Sequence, residues 1–388
     1  MVRKPALFRP LAGCKESRTD TNRSKRNHIL QQDRGHRLFR SGIGLLPALI
    51  SQYRFTQYQT YEMAQFNIQD YDRYIVSFSG GKDSTATFLY LLDHGIPREK
   101  IELWHQDIDG RERNFFDWEV TPDYCRRFAH AFGVKIYFQW KEGGFYREMM
   151  RENSLTASNC YELPDGTIGR SGGTRGTPNT RLRFPQAAAD LRTRWCSSYL
   201  KIDVCSAAIV NQSRFNNIRT LILSGERGEE SPQRARYATW EPDRADCRNG
   251  KHHRHVDRHR PIRDWTEAQV WEIIKRYRVR VHPCYYIGWS RCSCRFCIFG
   301  NKNQFASASA ISPEHIQEIA QLEQQFGCTI KRKCDIMSFI RTGTPYHHIT
   351  EAWKTIATCR LYILPIILPD DEQWELPAGA FGEQCGSV

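Results

Sequence analysis

Six consecutive residues, Ser79-Gly80-Gly81-Lys82-Asp83-Ser84, gather two hydroxyls, two adjacent glycines, an ammonium and a carboxylate. Adjacent glycines let backbone N–H groups close on an anion with no Cβ in the way. The apolar run Tyr74–Phe78 before them reads as a strand, and the periodic segment Thr85–Leu92 after them as a helix. A helix start adds unpaired N–H groups and the positive end of its dipole. The order strand, glycine loop, helix therefore predicts a phosphate or pyrophosphate seat. Its expected contacts are Ser77, Ser79, Gly80, Gly81, Asp83 and Ser84, with Lys82 neutralising charge that develops on phosphate. The Walker pattern wants four residues between its glycines, so this is a different loop. The competing reading is an ordinary turn with Asp83 or Ser84 as helix cap.

A second polar segment, Ser224-Gly225-Glu226-Arg227-Gly228-Glu229-Glu230-Ser231-Pro232-Gln233-Arg234, also follows an apolar run, Thr220–Leu223. Arg227 and Arg234 suit bidentate phosphate contacts, and Gly225 allows close backbone approach. Asp107, in Gln106-Asp107-Ile108-Asp109-Gly110 at the end of another apolar run, could hold a ribose hydroxyl or Mg²⁺, or merely form a solvated Asx turn. Four arginines of a polar, glycine-rich stretch (159–184), Arg170, Arg175, Arg181 and Arg183, could close over an anion or stay solvated.

Thiols supply the other chemistry. Cys284, Cys292, Cys294 and Cys297 fall within fourteen residues, and Cys196 stands five residues before Lys201. Four thiolates can bind zinc or an iron–sulfur cluster, and spacing does not choose between them. The histidine-rich run Lys251–Arg260 lacks the helical i, i+4 frame of a metalloprotease motif and reads as a solvated basic loop.

The elements that must carry these groups alternate. Strands are expected at 75–78, 101–105, 134–139 and 220–224, and helices at 83–92, 115–132 (with Pro122 near a break), 266–277 and 313–326. That β-α-β-α-β rhythm predicts a doubly wound, mostly parallel α/β sheet. Ligands in such sheets sit beyond the carboxyl ends of the strands, where the glycine loop emerges. Residues 159–184 read as a long loop, and the tail from Pro365 as irregular cover.

With 388 residues and 40% hydrophobic content the chain can build a sizeable core. The expected organisation is a poorly ordered basic extension (1–62), a nucleotide-binding α/β domain (63–265) and a helical, Cys-rich region packed on it (266–388). The net charge of +13 is uneven: residues 1–62 hold 12 Lys/Arg against Glu16, Asp20, Asp33 and Glu62, leaving +5 for the rest. The extension could be a nucleic-acid arm, a targeting segment or an upstream addition before a natural start at Met63. No apolar run approaches the ~20 residues of a membrane span. The 14 cysteines, clustered in one place and scattered elsewhere, point to a reducing cytoplasm rather than a disulfide framework.

The Ser79–Ser84 loop resembles the PP-loop of the ATP-pyrophosphatase superfamily, which includes the phosphoadenosine phosphosulfate (PAPS) reductases. The Gly225–Arg234 segment resembles the G-[I/E]-R-x-E-E-S-x-x-R stretch lining the nucleotide site of PAPS-reductase-like proteins. Trp195-Cys196-Ser-Ser-Tyr-Leu-Lys201 is similar to the cysteine-then-lysine segment that supplies cluster ligands in reductases using adenylyl sulfate, although those have paired cysteines. The resemblance spans residues 70–300. It implies an adenine-nucleotide α-hydrolase-like three-layer sandwich and ATP or PAPS on the loop. It also implies a [4Fe–4S] cluster on Cys196, Cys284, Cys294 and Cys297, with Cys292 as substitute for Cys196 or Cys284 and zinc as the alternative metal.

Lys82, Asp83 and Arg227 are the implied catalytic residues. True PAPS reductases end in Glu-Cys-Gly-[Ile/Leu]-His, whereas this chain ends Glu383-Gln384-Cys385-Gly386-Ser387-Val388. Relatives that adenylate a target, release pyrophosphate and pass sulfur on, such as those of DNA phosphorothioation and tRNA thiolation, fit the loop and thiols at least as well. Such chemistry implies a sulfur or electron donor protein, a cysteine desulfurase or thioredoxin-like, and DNA or tRNA as acceptor. The rival readings are a sulfonucleotide reductase that releases sulfite and a non-catalytic nucleotide- or nucleic-acid-binding module.

Overall fold

The computed structural model describes residues 66–381. The basic extension, Met63 and Cys385 lie outside them. From Asn67 onward the chain forms one compact unit.

Its frame is an eight-stranded sheet in the order β5-β4-β3-β2-β1-β6-β8-β7. Strand β1 (Arg73–Ser77) lies in the middle and runs parallel to β2 (Ile101–Asp107) on one side and β6 (Arg219–Leu223) on the other. Strand β3 (Lys135–Lys141) continues the parallel set beyond β2, and β8 (His255–His259) continues it beyond β6. Antiparallel strands finish both edges: the hairpin β4 (Asn159–Glu162) and β5 (Ile168–Ser171), and β7 (Trp240–Pro242). The central strand is apolar on both faces (Tyr74, Ile75, Val76), as a strand covered on two sides must be. The doubly wound α/β expectation is thus met, with helices on both faces.

On one face, helix α1 (Lys82–Asp93) and helix α2 (Thr121–Phe132) bring Phe88, Phe128 and Phe132 under Phe78, with ring centroids 4.7–5.5 Å apart. On the other, Ala208 and Ile209 join Ile75, Trp104, Phe215, Ile222 and Val256 in a second core. They come from helix α4, one continuous run of Trp195–Ser197, Ser198–Ile202 and Asp203–Val210. Its middle piece, Ser198–Ile202, is a π turn, an insertion frequently found at functional sites. Helix α3 (Gly144–Met149) follows β3.

The C-terminal region is helical: α5 (Glu267–Arg276), α6 (Lys302–Ile311), α7 (Pro313–Phe326), α8 (Ile336–Arg341) and α9 (Glu351–Thr358). Helix α5 begins with the capping box Thr266/Gln269 and packs on α1.

Three expectations need correction. The helix expected over 115–132 begins only at Thr121, with Pro122 in the first turn, where its missing N–H costs nothing. Residues 115–117 instead turn their N–H groups onto the Asp109 carboxylate at 2.7–3.1 Å. The stretch 159–184 is not all loop, because it opens with the β4–β5 hairpin. The histidine-rich run is not a solvated loop: His255–His259 is β8, and its Asp257 is fully buried. A buried charge needs partners, and Asp257 has Tyr71 and His255 at 2.7 Å, plus Arg248. The tail is mostly irregular, tied down by the Val279–Ile367 bridge and ending in a 3₁₀ turn, Ala378–Phe381.

Candidate functional site

Between β1 and β6 the winding reverses: β2 and β3 extend the sheet one way, β8 the other. Crevices at such switch points are where ligands bind in this architecture. Both glycine segments leave the sheet there. Gly80 adopts φ +78°, a conformation that favours glycine. Gly225 lies against the start of α1, where an added Cβ would fall 2.6 Å from the Asp83 carbonyl oxygen.

The loop is braced by its own hydroxyls. Ser84 Oγ donates to the Gly81 carbonyl at 2.9 Å and accepts the Ser79 N–H at 3.3 Å. Ser79 Oγ accepts the Gly81 N–H at 3.3 Å. The Lys82 N–H is taken by a distant group, the Tyr285 hydroxyl, at 2.8 Å, and the same oxygen accepts the Cys292 N–H at 3.1 Å. One buried phenol therefore joins the glycine loop to the cysteine loop.

The three implied catalytic residues form a charge network beneath the loop. Lys82 and Arg227 are only 4% and 3% exposed. The Lys82 ammonium donates to the Ser290 carbonyl at 3.0 Å and lies 3.4 Å from Asp83 and 3.5 Å from Glu267. Arg227 donates from Nε to Asp83 at 2.7 Å, pairs with Glu229 and approaches Glu267 at 3.9 Å. Burial opposes ionisation of Asp83, yet Lys82, Arg227 and Arg291 hold its carboxyl below the usual range. Lys82, Asp83 and Arg227 are thus paired with one another and with neighbouring acids, and other groups line the adjoining open space.

That space is a cavity of about 360 Å³. The glycine loop gives it Ser79, and α4 gives it Cys196, Ser197 and Lys201. The turn after β6 contributes Glu226, Gln233 and Arg234, and the cysteine loop Arg291, Cys292, Cys294 and Cys297. Ile108, Phe116 and Phe299 supply apolar walls, and Arg194 a further cation. Lys201 is exposed and lines the cavity. Its desolvation among the thiols is outweighed by Cys294, Asp117 and Cys196, which raise its pKa above the ordinary value.

The five candidate cysteines fall into two groups. Cys196, Cys294 and Cys297 line the cavity with Lys201 and act on its charge; burial pushes the Cys196 thiol up to about 11. Cys284 is fully buried, does not line the cavity and stands with Cys292 and His282, their ligand atoms all within 4.8 Å of one another. This second group could hold a metal ion. Of the expected quartet Cys196, Cys284, Cys294 and Cys297, all but Cys284 line the cavity, and Cys292, the expected substitute, lines it too. Cys284 instead sits in the buried turn Pro283–Tyr285.

The cysteine loop is held by groups far away in sequence. Trp118 Nε1 donates to the Ser293 carbonyl at 3.1 Å, and the Phe116 carbonyl accepts the Phe296 N–H at 3.3 Å. Arg295, 1% exposed, makes a bidentate pair with Glu119 at 2.8 and 3.0 Å. Lys331 donates to the carbonyls of Ile298 and Gly300 at 2.8 and 2.6 Å.

Other predicted residues lie elsewhere. Asp107 accepts the Gly110 N–H at 3.0 Å and lines a different cavity, of about 300 Å³, with Arg111 and Arg126. Burial, with Asp109 and Asp117 nearby, raises its pKa to about 8. Ser77 ends β1 and is not among the cavity's lining residues. Arg181 is pinned to Glu148 at 3.4 Å and stacked on Trp195 and Tyr199, so it holds α4, while Arg170, Arg175 and Arg183 are exposed. Tyr285, His282, Glu267, Arg194 and Arg291 were missed. No local motif marks them, because their partners lie on other elements.

Residues 184–299 match the phosphoadenosine phosphosulfate reductase domain family. The matched stretch holds all five cysteines, Lys201, Arg227 and Arg234; the glycine loop precedes it. The chain is 28% identical over 281 residues to an uncharacterized 37.8 kDa protein of Escherichia phage 186, covering 66% of this chain and 76% of that one. It is 33% identical over 75 residues to an adenosine 5'-phosphosulfate reductase of Burkholderia cepacia, covering 19% of this chain and 27% of the other.

Proposed function

We propose, from the premise that residues 184–299 are a phosphoadenosine phosphosulfate reductase domain, that the chain is a nucleotide-dependent enzyme of sulfur metabolism. At the Ser79–Ser84 loop it takes ATP, for adenylation of a target with pyrophosphate release, or a phosphosulfate nucleotide, for transfer of sulfur. The observation that carries this reading is the shared cavity: Ser79 of the glycine loop, the cations Lys201 and Arg234, and the thiols Cys196, Cys292, Cys294 and Cys297 line one space. A phosphate chain of charge and length suited to those cations can lie there with its reactive end against sulfur ligands.

Cys196, Cys294 and Cys297 are the chain's own donors for an iron–sulfur cluster, because they share a wall of the cavity and thiolate is the donor such clusters use. When bound, the cluster would supply thiophilic irons able to carry sulfur or electrons. Lys201 stabilises negative charge on the thiols and on an incoming phosphate or sulfate; the Lys82–Asp83–Arg227–Glu267 network fixes the loop's shape.

The similarity to an adenosine 5'-phosphosulfate reductase favours a second reading, sulfite release from a sulfonucleotide. One experiment separates the two. Anaerobically purified full chain is assayed for pyrophosphate with ATP and for sulfite with PAPS or adenylyl sulfate plus a dithiol. Pyrophosphate with a sulfur donor and a nucleic-acid acceptor supports the first reading, and sulfite without pyrophosphate supports the second. Neither product from any of the nucleotides sinks both.

A further inference from the structure

His282, Cys284 and Cys292 do more than bring three ligand atoms within 4.8 Å. His282 and Cys284 are completely buried, so neither is a surface group that happens to lie near a thiol. The His282 ring is already oriented. Its Nδ1 accepts the Cys284 N–H at 3.2 Å, which places the ring proton on Nε2, and Nε2 then donates to Thr121 Oγ1 at 3.2 Å. An outer hydrogen bond of the Nε2–Thr121 kind fixes the tautomer of metal-binding histidines, and an ion that takes the Nδ1 lone pair displaces the Cys284 N–H from it. Tyr124 stacks edge-on against the ring at 5.2 Å and prevents it from turning away.

The third ligand differs. Cys292 lines the 360 Å³ cavity, and its sulfur lies 3.8 Å from the Ser79 carbonyl. The trio is therefore closed on the His282 and Cys284 side and open toward the glycine loop. Three protein ligands of nitrogen and sulfur with one open position is the arrangement of a reactive zinc site, whereas structural zinc sites use four protein ligands.

We infer that His282, Cys284 and Cys292 form a mononuclear site for a thiophilic divalent ion, zinc by ligand type, whose fourth position faces the nucleotide cavity and is completed by an oxygen or sulfur of the bound substrate. This site is separate from the Cys196, Cys294 and Cys297 set. The metal site stands on the trio's own geometry, while its open position rests on the proposed nucleotide reading.

The test uses reduced, chelator-treated full chain titrated with Co²⁺, whose absorption reports thiolate ligands and tetrahedral geometry. One equivalent should produce a thiolate-to-cobalt charge-transfer band and a tetrahedral ligand-field band. Both should persist in the triple variant Cys196→Ser, Cys294→Ser, Cys297→Ser, and the charge-transfer band should fall by at least half in Cys292→Ser. Loss in the triple variant with retention in Cys292→Ser would overturn the assignment, as would a Cys284–Cys292 disulfide that forms readily and leaves no metal-binding capacity. Because thiol substitutions could disturb folding, X-ray absorption on the unsubstituted chain loaded with one equivalent of zinc provides a second check: two sulfurs and one histidine nitrogen support the site, and a shell of three or more sulfurs, or of oxygen and nitrogen alone, refutes it. Inorganic pyrophosphate or ATP should then shift the ligand-field band. An unshifted spectrum with nucleotide bound, verified by equilibrium dialysis, would refute the open position; absence of nucleotide binding would instead refute the functional reading and leave the metal site standing.

Discussion

The Tyr285 hydroxyl does what no charged residue in the site does: it accepts N–H groups from both the glycine loop, at Lys82, and the cysteine loop, at Cys292. Removing it strands two backbone donors in a buried place, and an unmet buried donor costs roughly 1–3 kcal/mol. Tyr285→Phe should therefore lower stability by about that much and weaken nucleotide binding beyond what the stability loss explains, since the loop's anchor to the cavity wall is gone. Urea unfolding together with a nucleotide titration checks both parts. Nucleotide affinity equal to that of the unsubstituted protein would show that the phenol only packs. The charged residues of the loop act differently. Lys82 and Arg227 are nearly fully buried and paired with Asp83, Glu229 and Glu267.

At the scale of elements, the approach of the β6 turn to the start of α1 decides the shape of the crevice. Gly225 is required there because a Cβ would meet the Asp83 carbonyl oxygen at 2.6 Å, a backbone contact that no side-chain rotation relieves. Gly225→Ala should push the two segments apart and reduce nucleotide affinity at least tenfold, read by calorimetry, while the far-UV spectrum stays native. Unchanged affinity would mean the crevice is not the nucleotide's seat.

The loop and its two flanking elements were legible from Tyr74 to Leu92 because period, glycines and helix start agree locally. Strand β6 and the Pro313–Phe326 helix were legible for similar reasons. Strand β8 was not, since Asp257, Arg258 and His259 look like solvent-facing residues, whereas Asp257 and His259 are buried and Arg258 half-buried, with Asp257 held by Tyr71 and Arg248 and Arg258 by Asp243. The cysteines were legible as a group, but their division was not. The turn at Pro283–Tyr285 that carries Cys284 away from the cavity leaves little trace in the spacing of sulfurs.

Across the whole molecule, the parallel sheet brings two loops to one edge, and the C-terminal region lays a thiol-bearing loop over them. Among the described residues no helix is long and apolar enough to cross a membrane. The central claim is that nucleotide and thiols occupy one cavity. Its most direct measurement is the rate of alkylation of each cysteine in reduced, metal-free full chain, followed by mass spectrometry with and without saturating ATP or PAPS. Cys196, Cys292, Cys294 and Cys297 should react at least several-fold more slowly with nucleotide bound, while exposed Cys359, remote from the cavity lining, keeps its rate. Equal rates at all four cavity cysteines with the nucleotide demonstrably bound would contradict the account.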